Sequence, residues 1–218
     1  MGNPQNSDTA GFVLAGGRSS RMGRDKALLR FAGESLIARS LRILREAGLS
    51  ASIAGAASDL SAFAPVIADA QPNLGPLAGI CAALKSTSAS HSVFLSVDTP
   101  FVPFSLLVYL LHRARITDCV VTVPSVNGFV QTFPSVIHRS ALPSLQAELS
   151  TGRNGCFSAF QAAATILGQA PHAVSTELLA QSGHATHPHN LPPLRWFLNL
   201  NTQADVARAE ALAARRIA

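Results

Sequence analysis

VLAGGRSSRMGRDKALL, residues 13–29, starts as an apolar run and breaks at Gly16-Gly17. It then carries Arg18, Arg21, Arg24 and Lys26 before returning to Ala-Leu-Leu. An apolar run closed by paired glycines reads as a buried strand entering a tight turn. Without side chains at 16 and 17, backbone N–H groups can close on phosphate oxygens, and the four cations beside them suit an anionic ligand. The spelling excludes both common nucleotide fingerprints: no Gly-Lys-Ser/Thr follows, and the glycines are not spaced GxGxxG. A solvated turn that happens to be basic is the alternative reading.

Working outward, the next segments repeat one design. The first strand, GFVLA (11–15), is followed by SLIARSLRILREA (35–47), which places Leu36, Ile37, Leu41 and Leu44 at helical spacing before Gly48. SASIAG (50–55) and PVIA (65–68) read as short strands, and PLAGICAALK (76–85) as a helix with Pro in its first turn. SVFLSVD (92–98), SLLVYLLHRA (105–114) and CVVTV (119–123) continue as strand, helix, strand. Apolar runs without alternation, separated by helices, imply parallel strands covered on both faces. The expected fold is therefore α/β, a Rossmann-like three-layer sandwich with a mostly parallel central sheet and a small antiparallel insertion.

Beyond residue 123 the pattern changes. GFVQTFPSVIH (128–138) is a longer extended stretch, ALPSLQAEL and CFSAFQAAA are helical, and QSGHATHPHNLPP (181–193) is a Pro/His loop. LPPLRWFLNLN (191–201) reads as a final strand, followed by an Ala-rich helix from Gln203. There is no internal repeat. One domain over 1–218 is expected, with a nucleotide-binding half at about 10–123 and an acceptor-binding half at about 124–218.

Composition narrows the function classes. The 218 residues are 48% hydrophobic and 13% charged with a net charge of +5, which fits a globular chain with an anionic substrate. One Trp and one Tyr offer little for stacking single-stranded bases, so nucleic acid is not expected as a partner. Cys81, Cys119 and Cys156 are three cysteines without CxxC spacing, which disfavours a disulfide framework and suggests a reducing, cytoplasmic setting. The polar MGNPQNSDTAG opening lacks an apolar signal core, and no run approaches the roughly 20 residues needed to cross a bilayer.

The second chemical signal is FLSVDTPFVP (94–103). Asp98 ends a buried strand, where an unpaired carboxylate is costly. A hard oxygen there suits Mg²⁺, which keeps waters and substrate phosphates as its other ligands. Capping of the next helix by Asp98 is an equally good account on these residues alone.

LAGGRSSRMGRDK resembles the pattern LAGGxSxRMGxDK at Leu14, Ala15, Gly16, Gly17, Ser19, Arg21, Met22, Gly23, Asp25 and Lys26. That pattern is the signature of the nucleotidyltransferase family typified by molybdenum cofactor guanylyltransferase. DAQPNLGPLAGI (69–80) is similar to the family's DxxPxxGPLAGI segment and SVDTPFVP to its metal-aspartate strand. FLNLNTQAD (197–205) is similar to its FxNxNTPED block, with Gln203 in place of Pro. The resemblance implies transfer of GMP from GTP to the phosphate of molybdopterin with release of pyrophosphate. It implies that Leu14, Ala15, Gly16, Gly17 and Asp69 line the nucleotide and that Lys26, with Arg21, meets its phosphates. Asp98 would hold Mg²⁺, and Asn201 would be a substrate or outer-sphere contact. GTP, molybdopterin and other molybdenum cofactor proteins are the expected partners, for a monomer or weak homo-oligomer.

Residues 54–57, Ala-Gly-Ala-Ala, depart from the polar sequence often found there, which leaves guanine over cytosine open. Transferases using CTP or a sugar or polyol phosphate, and a pterin-binding module without catalysis, are the alternatives. Asn127 and Gln131 are candidate acceptor contacts, and Arg153 and Asn154 candidate contacts to the pterin phosphate. His184, His187 and His189 fit a flexible loop better than a zinc site. Cys156 reads as a small buried hydrophobe.

Overall fold

The computed structural model describes residues 8–16, 26–55, 59–68, 74–152 and 155–214. The first strand, β1 (Thr9–Leu14), is buried at every position, which is why its sequence shows no alternation. It lies between β4 (Ala51–Ala54) and β6 (His91–Ser96), parallel to both, and β5 (Val66–Ile67) extends the sheet beyond β4. On the other side of β6 the order continues through β9 (Ser135–His138), β7 (Val121–Val126) and β10 (His172–Ser175). β9 runs antiparallel to both neighbours, and β8 (Phe129–Val130) folds back antiparallel on β7. β10 is parallel to β7. A separate two-residue hairpin joins β2 (Arg30–Phe31) to β3 (Glu34–Ser35).

Helices cover both faces. On one side, α1 (Leu36–Glu46) and α3 (Phe104–Thr117) bury Leu36, Ile37, Leu41, Leu44, Leu106 and Leu110 in the cluster that takes in Val13 and Leu95 of the sheet. On the other, α2 (Pro76–Ser86), α4 (Leu142–Ser150) and α5 (Cys156–Ile166) pack Leu77, Ile80, Leu145 and Phe160 onto Phe12, Phe94 and Val123. Phe12 and Phe94 are register partners, and their rings stack with centroids 5.5 Å apart. The architecture is the three-layer, mostly parallel α/β sandwich with an antiparallel element that the sequence predicts.

Three departures have local causes. Residues 191–201 are not a strand: Pro192 and Pro193 set the start of a one-turn helix, α7 (Pro193–Trp196), and an irregular segment follows. Leu191, Trp196 and Leu200 are buried all the same, with Trp196 donating its indole N–H to the Leu191 carbonyl at 2.8 Å. The stretch 128–138 divides into β8 and β9. β10 and the β2–β3 hairpin have no counterpart in the sequence reading. α6 (Thr176–Gln181) follows β10, and α8 (Gln203–Ala214) ends the described chain. No helix among the described residues is long and apolar enough to cross a membrane.

Candidate functional site

The carboxyl ends of β1, β6 and β7 share one edge of the sheet, where open α/β sheets collect ligands. Register gives the layout. Leu14 pairs with Ser96, so Gly16 stands at the height of Asp98 one strand away. Ser92 pairs with Ile137, which pairs with Val121, so Asn127 reaches the same height from the far side of β9.

Gly16 is required by contact as well as by chain direction. A Cβ built there would lie 2.1 Å from the Gly55 carbonyl oxygen, well inside any allowed approach. Gly55 has φ +69°, and a Cβ on it would rest 3.7 Å from the Cα atoms of both Gly16 and Gly79. Three backbones thus meet where β1, β4 and α2 converge. A Cβ at 55 would find only ordinary contacts, so it is the left-handed φ that favours glycine there. Ala15 is held by an N–H bond to the Ala54 carbonyl at 3.1 Å, and the Leu14 carbonyl accepts from Val97 at 3.2 Å.

Lys26 opens a short 3₁₀ turn, Lys26–Leu28, and its ammonium reaches back to the edge. It donates to Asp98 Oδ2 at 3.1 Å and to Asn201 Oδ1 at 2.5 Å. The other Asp98 oxygen accepts from Ser96 Oγ at 2.6 Å. Lys26 and Asp98 are each about one-fifth exposed, 23% and 20%, so the pair is shielded yet reachable. Asp98 does not cap α3: Pro103 is the residue there and makes no side-chain cap bond. The turn after Asp98 is braced from below. Arg39 donates to the Pro100 carbonyl at 3.0 Å and lies 4.9 Å over the Phe31 ring, which in turn meets Phe101 edge-on.

Asn201 is brought in by the end of the chain. The Leu200 N–H bonds the Asp98 carbonyl at 2.9 Å. Asp205 then accepts from the N–H groups of Asn201 and Thr202, at 3.1 and 2.8 Å, while Thr202 Oγ1 accepts from the Asp205 N–H at 3.1 Å. This reciprocal capping box starts α8 and fixes the backbone that carries the Asn201 amide. The Thr202 hydroxyl, first among several hydrogen bonds, holds the Asp205 carboxyl below its usual range.

The structure therefore joins Lys26, Asp98 and Asn201 and sets Leu14, Ala15 and Gly16 on the adjoining strand end. Gly17, Arg21, Asp69, Arg153 and Asn154 lie outside the described residues. Two carboxamide or carboxylate oxygens converging on one cation are the hard donors a Mg²⁺ ion takes, so the residues fit the implied metal. No group of three or more His, Cys, Asp or Glu able to hold a metal occurs among the described residues. Substrate phosphates and waters would have to complete such a shell.

The other candidates are placed as follows. Asn127 uses its backbone N–H on Glu177 Oε1 at 2.5 Å, and the Gln131 amide donates to the Phe129 carbonyl at 3.2 Å. The histidine loop is packed rather than loose: His184 stacks on Tyr109 at 5.5 Å, His187 is buried against Phe101, and Ser105 clamps Thr186 in both directions. Cys156 is partly covered, and burial, with Cys81 nearby, pushes its thiol up to about 12. Sequence reading missed Gly79, Arg39 and Glu177, whose partners are remote in the chain and leave no local pattern.

Comparison with known proteins agrees with this geometry. The model of the MobA-like NTP transferase domain matches residues 11–166. The molybdenum cofactor guanylyltransferase of Vibrio atlanticus is 33% identical over 148 residues, 66% of this chain and 76% of that protein. The probable molybdenum cofactor guanylyltransferase of Opitutus terrae is 46% identical over 99 residues, 43% of this chain and 49% of its own length. The chain thus spans about half of the latter relative. Among solved structures, molybdopterin-guanine dinucleotide biosynthesis protein A from Archaeoglobus fulgidus superposes with a TM-score of 0.73 at 21% identity, over 94% of this chain and 99% of that one, a likeness of fold. With the family model spanning most of the sheet and both strand ends of the site, the chain belongs to the MobA-like NTP transferase family.

Proposed function

We propose that this protein transfers GMP from GTP to the terminal phosphate of molybdopterin and releases pyrophosphate. The observation that carries the reading is the meeting of Lys26, Asp98 and Asn201 beside Gly16 at the carboxyl edge of the sheet. The names of the relatives supply the nucleotide and the acceptor.

In this reaction an oxygen of the acceptor phosphate forms a bond to the α-phosphorus of GTP, and the bond from that phosphorus to the bridging oxygen of pyrophosphate breaks. The acceptor phosphate is already ionised, so no general base is required. Rate then comes from positioning and charge neutralisation. Leu14, Ala15, Gly16 and Gly17, at the end of β1, receive the nucleotide, and Asp69 adds a contact to it. Lys26 and Arg21 neutralise the phosphates, Lys26 by leaving its resting partners. Asp98 and Asn201 would hold a Mg²⁺ ion, which supplies further neutralisation of charge on the α-phosphoryl oxygens and the leaving group. Asp205 and Thr202 keep Asn201 oriented. The half at about 10–123 serves the nucleotide and that at about 124–218 the acceptor.

Pyrophosphate release measured with each of the four ribonucleoside triphosphates, with molybdopterin and with sugar phosphates, tests the proposal. Release with GTP and molybdopterin together is expected. Release only with CTP, or only with a sugar phosphate, refutes it.

A further inference from the structure

The loop after β7 is an Asn127–Gly128 turn with φ +50° and +78°, the two left-handed residues that a tight two-residue hairpin requires. It presents Phe129, 75% exposed, an unusual degree for an aromatic side chain. The turn is held from outside the hairpin. Glu177 lies at the height of Asn127 because Ser175 pairs with Ser125, and its Oε1 takes the Asn127 N–H. Its Oε2 accepts from Ser175 Oγ at 2.9 Å, and Thr176 Oγ1 donates to the Ser125 carbonyl at 2.8 Å. Gln131 closes the base of the hairpin through its N–H to the Pro124 carbonyl at 2.8 Å. An exposed ring on a turn fastened at this many points is presented rather than left over.

Its position gives it a use. Along the shared edge the order is Gly16 on β1, Asp98 on β6 and, past β9, the Asn127 turn. β10 holds the outer edge of β7 at Ser125, so β8 lies on the β9 side and Phe129 stands on the Asp98 side of the turn, one to two strand spacings or about 5–10 Å from Asp98 and away from Gly16. With the nucleotide on the glycine side and the reacting phosphorus over Asp98, in-line attack brings the acceptor from the hairpin side.

We infer that Phe129 is a specificity-determining residue, a stacking platform for the fused heteroaromatic ring of the acceptor, held in place by Glu177. The inference rests on the proposed function, and it adds a selection for aromatic acceptors over sugar or polyol phosphates. Glu177 acts as a positioning residue through the backbone of Asn127.

Steady-state kinetics on Phe129→Ala, Phe129→Tyr and Glu177→Gln, with molybdopterin and GTP varied separately, test it. Loss of one ring stack raises the KM for molybdopterin roughly five- to hundredfold in Phe129→Ala. The KM for GTP and kcat stay within about twofold, and Phe129→Tyr keeps wild-type values. Glu177→Gln raises the molybdopterin KM less than Phe129→Ala does. An unchanged molybdopterin KM in Phe129→Ala overturns the inference while wild-type transfer keeps the proposed function intact. So does a shift from dimer to monomer in sedimentation, which would assign Phe129 to a contact between copies. Wild-type protein that transfers GMP to no pterin acceptor removes the proposed function itself, and this inference with it.

Discussion

On the proposed function Lys26 plays two opposed parts, and one substitution separates them. Without nucleotide, its ammonium occupies the space between Asp98 and Asn201 that a divalent cation would take. At 3.1 Å, with both side chains about four-fifths covered, the gross attraction at an effective dielectric of 20 is about 5 kcal/mol. Desolvation and side-chain ordering reduce this to a net ~1.5–3 kcal/mol, the usual worth of a charge-assisted hydrogen bond. A cation arriving alone must forgo that amount, whereas one arriving with a triphosphate gives Lys26 new partners. Lys26→Met, which keeps the length of the chain but not its charge, should therefore tighten metal binding to the nucleotide-free protein by about ten- to hundredfold, at 1.36 kcal/mol per decade. The same variant should lose on the order of 10²–10³ in transfer rate, because one phosphate-neutralising charge is gone. Titration of free Mn²⁺ followed by electron paramagnetic resonance, with and without GTP, reads the first effect, and pyrophosphate release the second. Asp98→Ala serves as the control that abolishes the metal signal. Mn²⁺ affinity that is unchanged or weaker in nucleotide-free Lys26→Met would refute the competition between ammonium and metal.

The remaining predictions concern how the site is held and how the fold responds to pH. Gly16→Ala drives a methyl group into the Gly55 carbonyl, so GTP affinity measured by calorimetry should fall and the melting temperature should drop by several degrees, in line with an overpacking cost of ~1–3 kcal/mol. Asp205→Ala unties the backbone that carries Asn201, and kcat should fall on the order of ten- to a hundredfold from misplacement of that amide. Asp205→Glu should recover part of it. His91 is buried beside His138, with Asp8, Arg115 and Asp118 around it. Burial, then the charge on His138, keeps its imidazole below the ordinary 6.5. The neutral ring is the form the fold favours, so this contribution is complete above pH 6.5 and is lost as pH falls through 6.5 toward the lower folded value. His172, depressed by burial and Arg113, acts in the same sense. Denaturant midpoints should be level from pH 8 to 7 and decline below 6.5, by up to ~1.4 kcal/mol per pH unit from buried His91, with the more exposed and solvent-screened His172 adding less. His91→Leu should flatten that decline, and an unchanged slope would remove His91 as its source.

Much of the fold is legible locally. The run that enters Gly16-Gly17, the unalternating SVFLS strand and the Leu spacing of residues 36–44 each state an element and its burial through short-range sterics and periodicity. Short apolar runs say that a segment is buried without saying in what conformation. That is why 191–201 reads as a strand although Pro192-Pro193 start a helical turn there, and why β10, half exposed at the sheet edge, leaves no signal. The chemical residues were visible as types, Lys26, Asp98 and Asn201 each in its own block. Their meeting was not, because the bonds that join them span 72 and 175 residues. Gly55 shows the same division: its missing side chain is plain in the sequence, but only the folded backbone, with φ +69° at that position, gives the reason. Backbone propensity and burial act within a few residues, and the sequence states them directly. The convergence of distant strand ends, and the tie from Glu177 to the Asn127 turn, exist only once the sheet has set its register.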